Sequence, residues 1–178
     1  APRYREARPS DWVGGRAGGK MASAADTYQA LASIYHSTNG ANWEDNDRWM
    51  SNSDFCTWYG VGCLNNNLPF NATSNSVNWL TGPFGMDGTL PTQIGLLRLQ
   101  GLAHMSSPRL SGTLPANYLR SLKFLQVQGT ALRGTIPDAF ASLTTYVLED
   151  CQHISGTLPN SMSTTSPLSM QASKMPLL

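Results

Sequence analysis

Between Gly14 and Lys20 the sequence GGRAGGKM supplies most of a phosphate-binding loop: a glycine, four residues, then Gly19 and Lys20. In such a loop backbone N–H groups cradle the phosphates, the lysine reaches the terminal one, and a following Ser or Thr holds magnesium. Met21 stands where that hydroxyl is needed, and no apolar strand leads into the glycines. The stretch reads as a glycine-rich arm, and no cofactor is expected. His36, His104 and His153 fall in a helix end, a strand and a loop, without the HExxH, GxSxG or Cys/His signatures that would make them catalytic. The acidic run Glu44 to Asp47 lacks the glycine and terminal Glu of a calcium loop, so a solvated turn is expected and no metal. No enzyme signature emerges, and the function to seek is binding.

The whole-chain properties narrow the partners. The chain has 178 residues, enough for one domain with its own core. Charged residues are 13% of the total, about half the usual share, and the net charge is +1, so nucleic acid is not an expected partner. The deficit is made up by Ser, Thr, Asn, Gln and Gly, which points to a neutral, hydrogen-bonding surface. No apolar run approaches the ~20 residues that span a bilayer. The chain begins at Ala1 without a basic-then-apolar signal segment, which fits a processed mature form or a trimmed chain.

Three regions follow from composition. Residues 1–21 hold Arg3, Arg5, Arg8, Arg16 and Lys20 with two prolines and four glycines, and read as an extended basic arm. Residues 22–76 begin with a short amphipathic helix in DTYQALASIYHSTNG, with Tyr28, Leu31 and Tyr35 on one face, Asp26 able to cap its start and Asn39-Gly40 to end it. The aromatic stretch after it, with Trp43, Trp49, Phe55, Trp58 and Tyr59 close to Cys56 and Cys63, looks like a lid on something hydrophobic. A polar loop precedes residues 77–178, where repetition sets in.

GTLP occurs at Gly88, Gly112 and Gly156, and GTIP at Gly134, so the glycines are 24, 22 and 22 residues apart. Two residues before each stands an apolar side chain: Met86, Leu110, Leu132 and Ile154. Nine and seven residues before it, Trp79 and Thr81, Ala103 and Met105, Leu125 and Val127, and Val147 and Glu149 are expected to point inward from a short strand. After each proline, pairs such as Ile94 and Leu97, Leu119 and Leu122, or Phe140 and Leu143 return to the core. The glycine permits positive φ, Leu or Ile points inside, and the proline ends strand pairing. One unit makes one coil, and stacked coils share a core that no single coil can bury.

These units resemble the plant-type leucine-rich repeat, LxxLxLxxNxLxGxIP, and STNGANWEDNDRWMSNSDFCTWYGVGC resembles the N-terminal cap of such proteins in plants and protists. The resemblance covers about residues 24–170. It implies an α/β solenoid: a short right-handed leucine-rich-repeat coil with a parallel β-sheet on the concave face and a helical, disulfide-closed N-terminal cap. Its ladder asparagine, four residues before each glycine, is replaced by Phe84, Pro108, Thr130 and Gln152. In the last unit an extra residue shifts the register, which would place Cys151 at the ladder position and Leu148 inward. A less regular solenoid is expected.

The resemblance also implies a Cys56–Cys63 disulfide, worth about 2–3 kcal/mol in the chain-entropy model. The pairing would place the protein in an oxidising compartment, secreted or in an organelle lumen such as that of the thylakoid. Two reduced, buried thiols are the alternative reading, and zinc lacks two further ligands. Cys151 is left as a small buried residue. Asn71-Ala72-Thr73 forms a glycosylation sequon.

On the concave face Leu80, His104, Ser106, Gln126, Gln128 and Asp150 are expected to point outward and bind a protein or a glycan, or else to be merely solvated. After the fourth tetrapeptide, the GTLP at Gly156, no further strand signature appears. Either the chain continues, or Met162, Leu168, Met170 and the Leu177-Leu178 tail close the end, or another subunit covers it. Two non-enzymatic functions therefore stand side by side. One is a recogniser using the concave face. The other is an accessory subunit of a larger complex, on the lumenal side of a membrane for instance, docked through Arg3, Arg5, Arg8, Trp12, Arg16 and the open coil end.

Overall fold

Four glycines set where the chain turns. Gly88, Gly112, Gly134 and Gly156 have φ of 131°, 87°, 111° and 102°, a region that an L side chain resists. The computed structural model describes residues 23–63, 77–82, 85–114, 116–156 and 171–173, with backbone only at 104, 105, 118 and 171–173. Each turn glycine lies in or just after a short strand: β3 (Asp87–Thr89), β5 (Arg109–Gly112), β7 (Ala131–Thr135) and β9 (His153–Ser155). These pair in parallel, in chain order, into a four-stranded sheet. A second strand opens each coil: β2 (Val77–Thr81), β4 (Gly101–Ser106), β6 (Phe124–Gln128) and β8 (Thr145–Glu149). With β1 (Val61–Cys63) and β10 (Gln171–Ser173) they form a six-stranded sheet in the order β1-β2-β4-β6-β8-β10. All its pairings are parallel except β1 with β2.

Backbone bonds join successive coils at equivalent points: Gln100 N–H donates to Asn78 O at 2.7 Å, Lys123 N–H to Gln100 O at 2.7 Å, and Thr144 N–H to Lys123 O at 2.8 Å. Between the two sheets runs one core. Met86, Leu110, Leu132 and Ile154 are buried, as are Ile94, Leu97, Leu119, Leu122, Phe140 and Leu143 from the connecting turns, where their spacing placed them. Those turns are a 3-10 helix at Thr92–Leu97, the single helical turn α2 (Ala116–Leu119) and a 3-10 helix at Asp138–Ser142.

The helix α1 (Ala24–Ser37) starts at Ser23 rather than at Asp26. The Ser23 hydroxyl accepts from Asp26 N–H at 3.1 Å while the Asp26 carboxylate accepts from Ser23 N–H at 3.0 Å, a reciprocal capping box. Its Ala30, Leu31 and Ile34 are buried, and it packs on the turn Thr92–Leu97. The chain leaves the helix through Asn39, at φ 57°. Beyond it Trp43 Nε1 donates to Thr38 O and Trp49 Nε1 to Tyr59 O, both at 2.9 Å, with the two indoles edge to face at 4.9 Å. Aromatic bodies are thus buried while their polar edges are bonded. Cys56 and Cys63 form a disulfide that closes this segment.

The polar row inside the coils matches expectation in part. Thr130 is buried there, and so is Cys151, as the shifted register of the last unit implied, but the remaining member is Ser107 rather than Pro108, and Pro108 and Gln152 are exposed. Ser107 Oγ accepts from Met86 N–H at 3.1 Å, and the Thr130 hydroxyl meets Cys151 Sγ at 3.7 Å. Each row member must reach one coil back, so a small side chain suffices where an asparagine would reach further. Burial pushes the Cys151 thiol above its usual pKa, with the Thr130 contact opposing it. The row residue Phe84 lies outside the described residues, as do Met162, Leu168, Met170 and Leu177-Leu178. The end of the sheet carries a further correction. Gln171–Ser173 pairs in parallel with Val147–Glu149, so a strand does follow the last GTLP.

Candidate functional site

The open face of the six-stranded sheet is built by register. Opposite one another across it lie Gly62, Trp79, Gly101, Phe124 and Thr145, one from each of β1, β2, β4, β6 and β8. Two glycines flank the indole of Trp79. A Cβ at Gly101 would overlap the Trp79 ring carbons, and one at Gly62 would press on Trp79 Cβ at 2.9 Å. The missing side chains let the indole lie down over β4, where it stacks on Phe124 with ring centroids 5.4 Å apart and planes 27° from parallel. Trp79 keeps 38% of its surface exposed, and Phe124 is half-buried.

Further along β6 and β8 the face becomes polar. Gln126 stands opposite Val147 and Gln128 opposite Glu149, and Gln128 Nε2 donates to Glu149 Oε2 at 2.6 Å. Ser106, Gln126 and Gln128 are half-buried on this sheet, and Asp150 follows it at φ 52°, also half-buried.

Leu80 does not belong to this surface. It is 1% exposed, paired with buried Val61 across β1 and β2, and its neighbour Trp79 takes the outward position. Leu80 stands eight residues before Gly88, whereas Leu125 stands nine before Gly134, so counting nine back from Gly88 misses its strand by one residue. In β8 the inward pair is Tyr146 and Leu148, while Val147 and Glu149 are half-buried; the extra residue shifts the register by one. Thr81 is half-buried rather than inward. The side chain of His104 lies outside the described residues, as do Arg3, Arg5, Arg8, Trp12 and Arg16 of the arm, Lys20, and the sequon at Asn71. The Trp79–Phe124 pair was missed because it exists only across strands; a glycine at 101, opening the following strand, was its one visible signal.

The other sheet repeats a threonine in each coil. Thr89, Thr113 and Thr135 are exposed, and each lies against the next turn glycine, within 3.3 to 3.6 Å of where a Cβ of Gly112, Gly134 or Gly156 would stand. Charges interrupt this row, since Arg109 pairs with Asp87 at 3.1 Å and Arg133 stands opposite His153. Among the described residues no group of three His, Cys, Asp or Glu is placed to hold a metal. No described helix is long and apolar enough to cross a membrane.

No family model matches the chain, and no curated protein sequence matches it. Solved structures do. A plant ice-binding protein is 30% identical with a TM-score of 0.58, over 81% of this chain and 46% of its own. The leucine-rich-repeat ectodomain of the receptor kinase SOBIR1 from Arabidopsis thaliana is 21% identical with a TM-score of 0.54, over 72% of this chain and 68% of its own. PEPR1, in its structure with AtPEP1, is 22% identical with a TM-score of 0.51, over 76% of this chain and 19% of its own. The chain thus spans less than half of the ice-binding protein and about a fifth of PEPR1. Its fold is leucine-rich-repeat-like.

Proposed function

We propose that the protein is a non-enzymatic recognition module that holds a protein partner on the open face of its six-stranded sheet. The observation that carries this reading is the Trp79–Phe124 stack, an exposed aromatic anchor laid over Gly101. Aromatic anchors of this kind, bordered by hydrogen-bonding groups, concentrate binding energy in protein interfaces. Ser106, Gln126 and Gln128 lie on the same sheet, with Asp150 just past β8. In this reading the helix and aromatic segment act as the cap, and the coil winds to the right, as parallel crossovers do. The disulfide supports a non-cytosolic location; which compartment is a matter for localisation of the native protein.

The test is affinity purification from the native source, with mass spectrometry of co-eluting chains. Replacing Trp79 and Gln126 together by alanine is expected to lower recovery of the partner at least ~10-fold, the loss typical of an interface anchor. Deleting residues 1–21 is expected to leave it. The opposite pattern would favour an accessory subunit docked through the arm.

The threonine row and the ice-binding neighbour favour a second reading, in which the four-stranded sheet orders water. Arg109, Arg133 and His153 break that row with charge and bulk, and we rank it below the first. We expect no inhibition of ice recrystallisation. Inhibition that disappears in Thr113→Lys would promote the second reading.

A further inference from the structure

We infer that the open face takes an extended polypeptide segment carrying two cationic side chains, one over the Trp79–Phe124 rings and one against Glu149. This rests on the reading of that face as the binding surface and adds the chemistry of what lies there. The strands that make the face contain neither Lys nor Arg and a single carboxylate, Glu149. Among the described side chains of these strands an acidic partner finds no Lys or Arg, whereas a cation finds both a ring face and a carboxylate.

Stacked aromatic rings attract guanidinium and ammonium groups through the negative potential of their faces, most strongly for Trp. Glu149 Oε2 is engaged by Gln128, which orients the carboxylate. Arg109 and Arg133 stand on the other sheet, away from this face.

The spacing of the two cations follows from the register. Glu149 is three strand positions from Trp79 and four residues beyond the row of Trp79, which at ~4.8 Å per strand and ~3.3 Å per residue is roughly 20 Å. An extended chain covers that distance in about six residues. Two cations about six residues apart therefore match the two anchors, while adjacent ones reach only one.

The experiment uses the full chain and blocked nine-residue peptides with Arg at the first and seventh positions in a Ser/Ala background, observed by NMR titration. Controls carry Glu in place of Arg, or both arginines side by side. The spaced dibasic peptide should bind at least ~5-fold tighter than the adjacent one and weaken with added salt, while the Glu peptide should not bind. Glu149→Gln and Trp79→Ala should each lower its affinity by a similar factor, with unchanged amide dispersion reporting that the variants fold. Equal binding of the spaced and Glu peptides, or insensitivity to Glu149→Gln, overturns the inference. So does tighter binding of a neutral β-glucan oligosaccharide at Trp79. Dibasic binding that appears only after removal of residues 1–21 overturns it as well, by identifying the chain's own arm as the occupant. If the native partner is still captured through Trp79 and Gln126 while the dibasic peptide fails, the cation assignment falls and the binding surface stands.

Discussion

Gly88→Ala is expected to destabilise the protein by at least about 3 kcal/mol, whereas Gly112→Ala, the same letter of the same tetrapeptide, should cost about 1–2 kcal/mol. Both residues hold positive φ, 131° and 87°, so both replacements strain the backbone. They differ in what the added methyl meets. At Gly112 it would touch the methyl of Thr89 at 3.3 Å, a side chain able to give way. At Gly88 it would overlap the carbonyl oxygen of Ser37, the last residue of α1. That carbonyl sits beside the bond from Asp87 N–H to Thr38 O, 3.0 Å long, which joins the helix to the first coil. The methyl therefore forces the N-terminal segment off its seat. Chemical denaturation followed by circular dichroism measures both losses. Equal losses would mean that the helix contact adds nothing to the backbone strain.

Phe140→Ala should cost about 3–5 kcal/mol, the range for removing a buried aromatic ring from a core that cannot collapse around the gap. Phe140 is fully buried and meets Tyr146 edge to face at 6.1 Å. Its surroundings are pinned: its N–H donates to Pro137 O at 3.0 Å, and Ser142 Oγ bonds to carbonyls of its own turn and of the preceding coil. Against a total stability of ~5–15 kcal/mol, such a loss lowers the unfolding midpoint steeply. Thr144→Ala, at an exposed position two residues past the same turn, serves as the comparison and should stay within about 1 kcal/mol. A loss below about 1 kcal/mol for Phe140→Ala would show that this turn is not packed as described.

The coil itself was legible because its information is local and repeated. Met86, Leu110, Leu132 and Ile154 stand at one offset from one glycine, and each coil confirms the next. The face was legible only where the strands keep that offset, as in β6, where Gln126 and Gln128 point outward. It was misread at Leu80 because that strand lies one residue nearer its glycine than β6 lies to its own, and the spacing between glycines carries no record of how each coil divides its length. The Trp79–Phe124 stack depends on which residue of β2 meets which of β4 and β6, and on a side chain that Gly101 lacks. The β10 strand was unreadable for a related reason: Gln171, Ala172 and Ser173 have no apolar alternation to announce a strand. Cys151 was legible at the row position through the shifted register of the last unit, whereas Ser107 escaped notice because it replaces an amide by a hydroxyl at a shifted position.

The reversed direction of β1 gives the molecule a polarity. Windings of this coil join through strands that run the same way, whereas β1 runs against β2. The regular repeat therefore stops at that flank, which offers a further parallel winding no strand of its own direction.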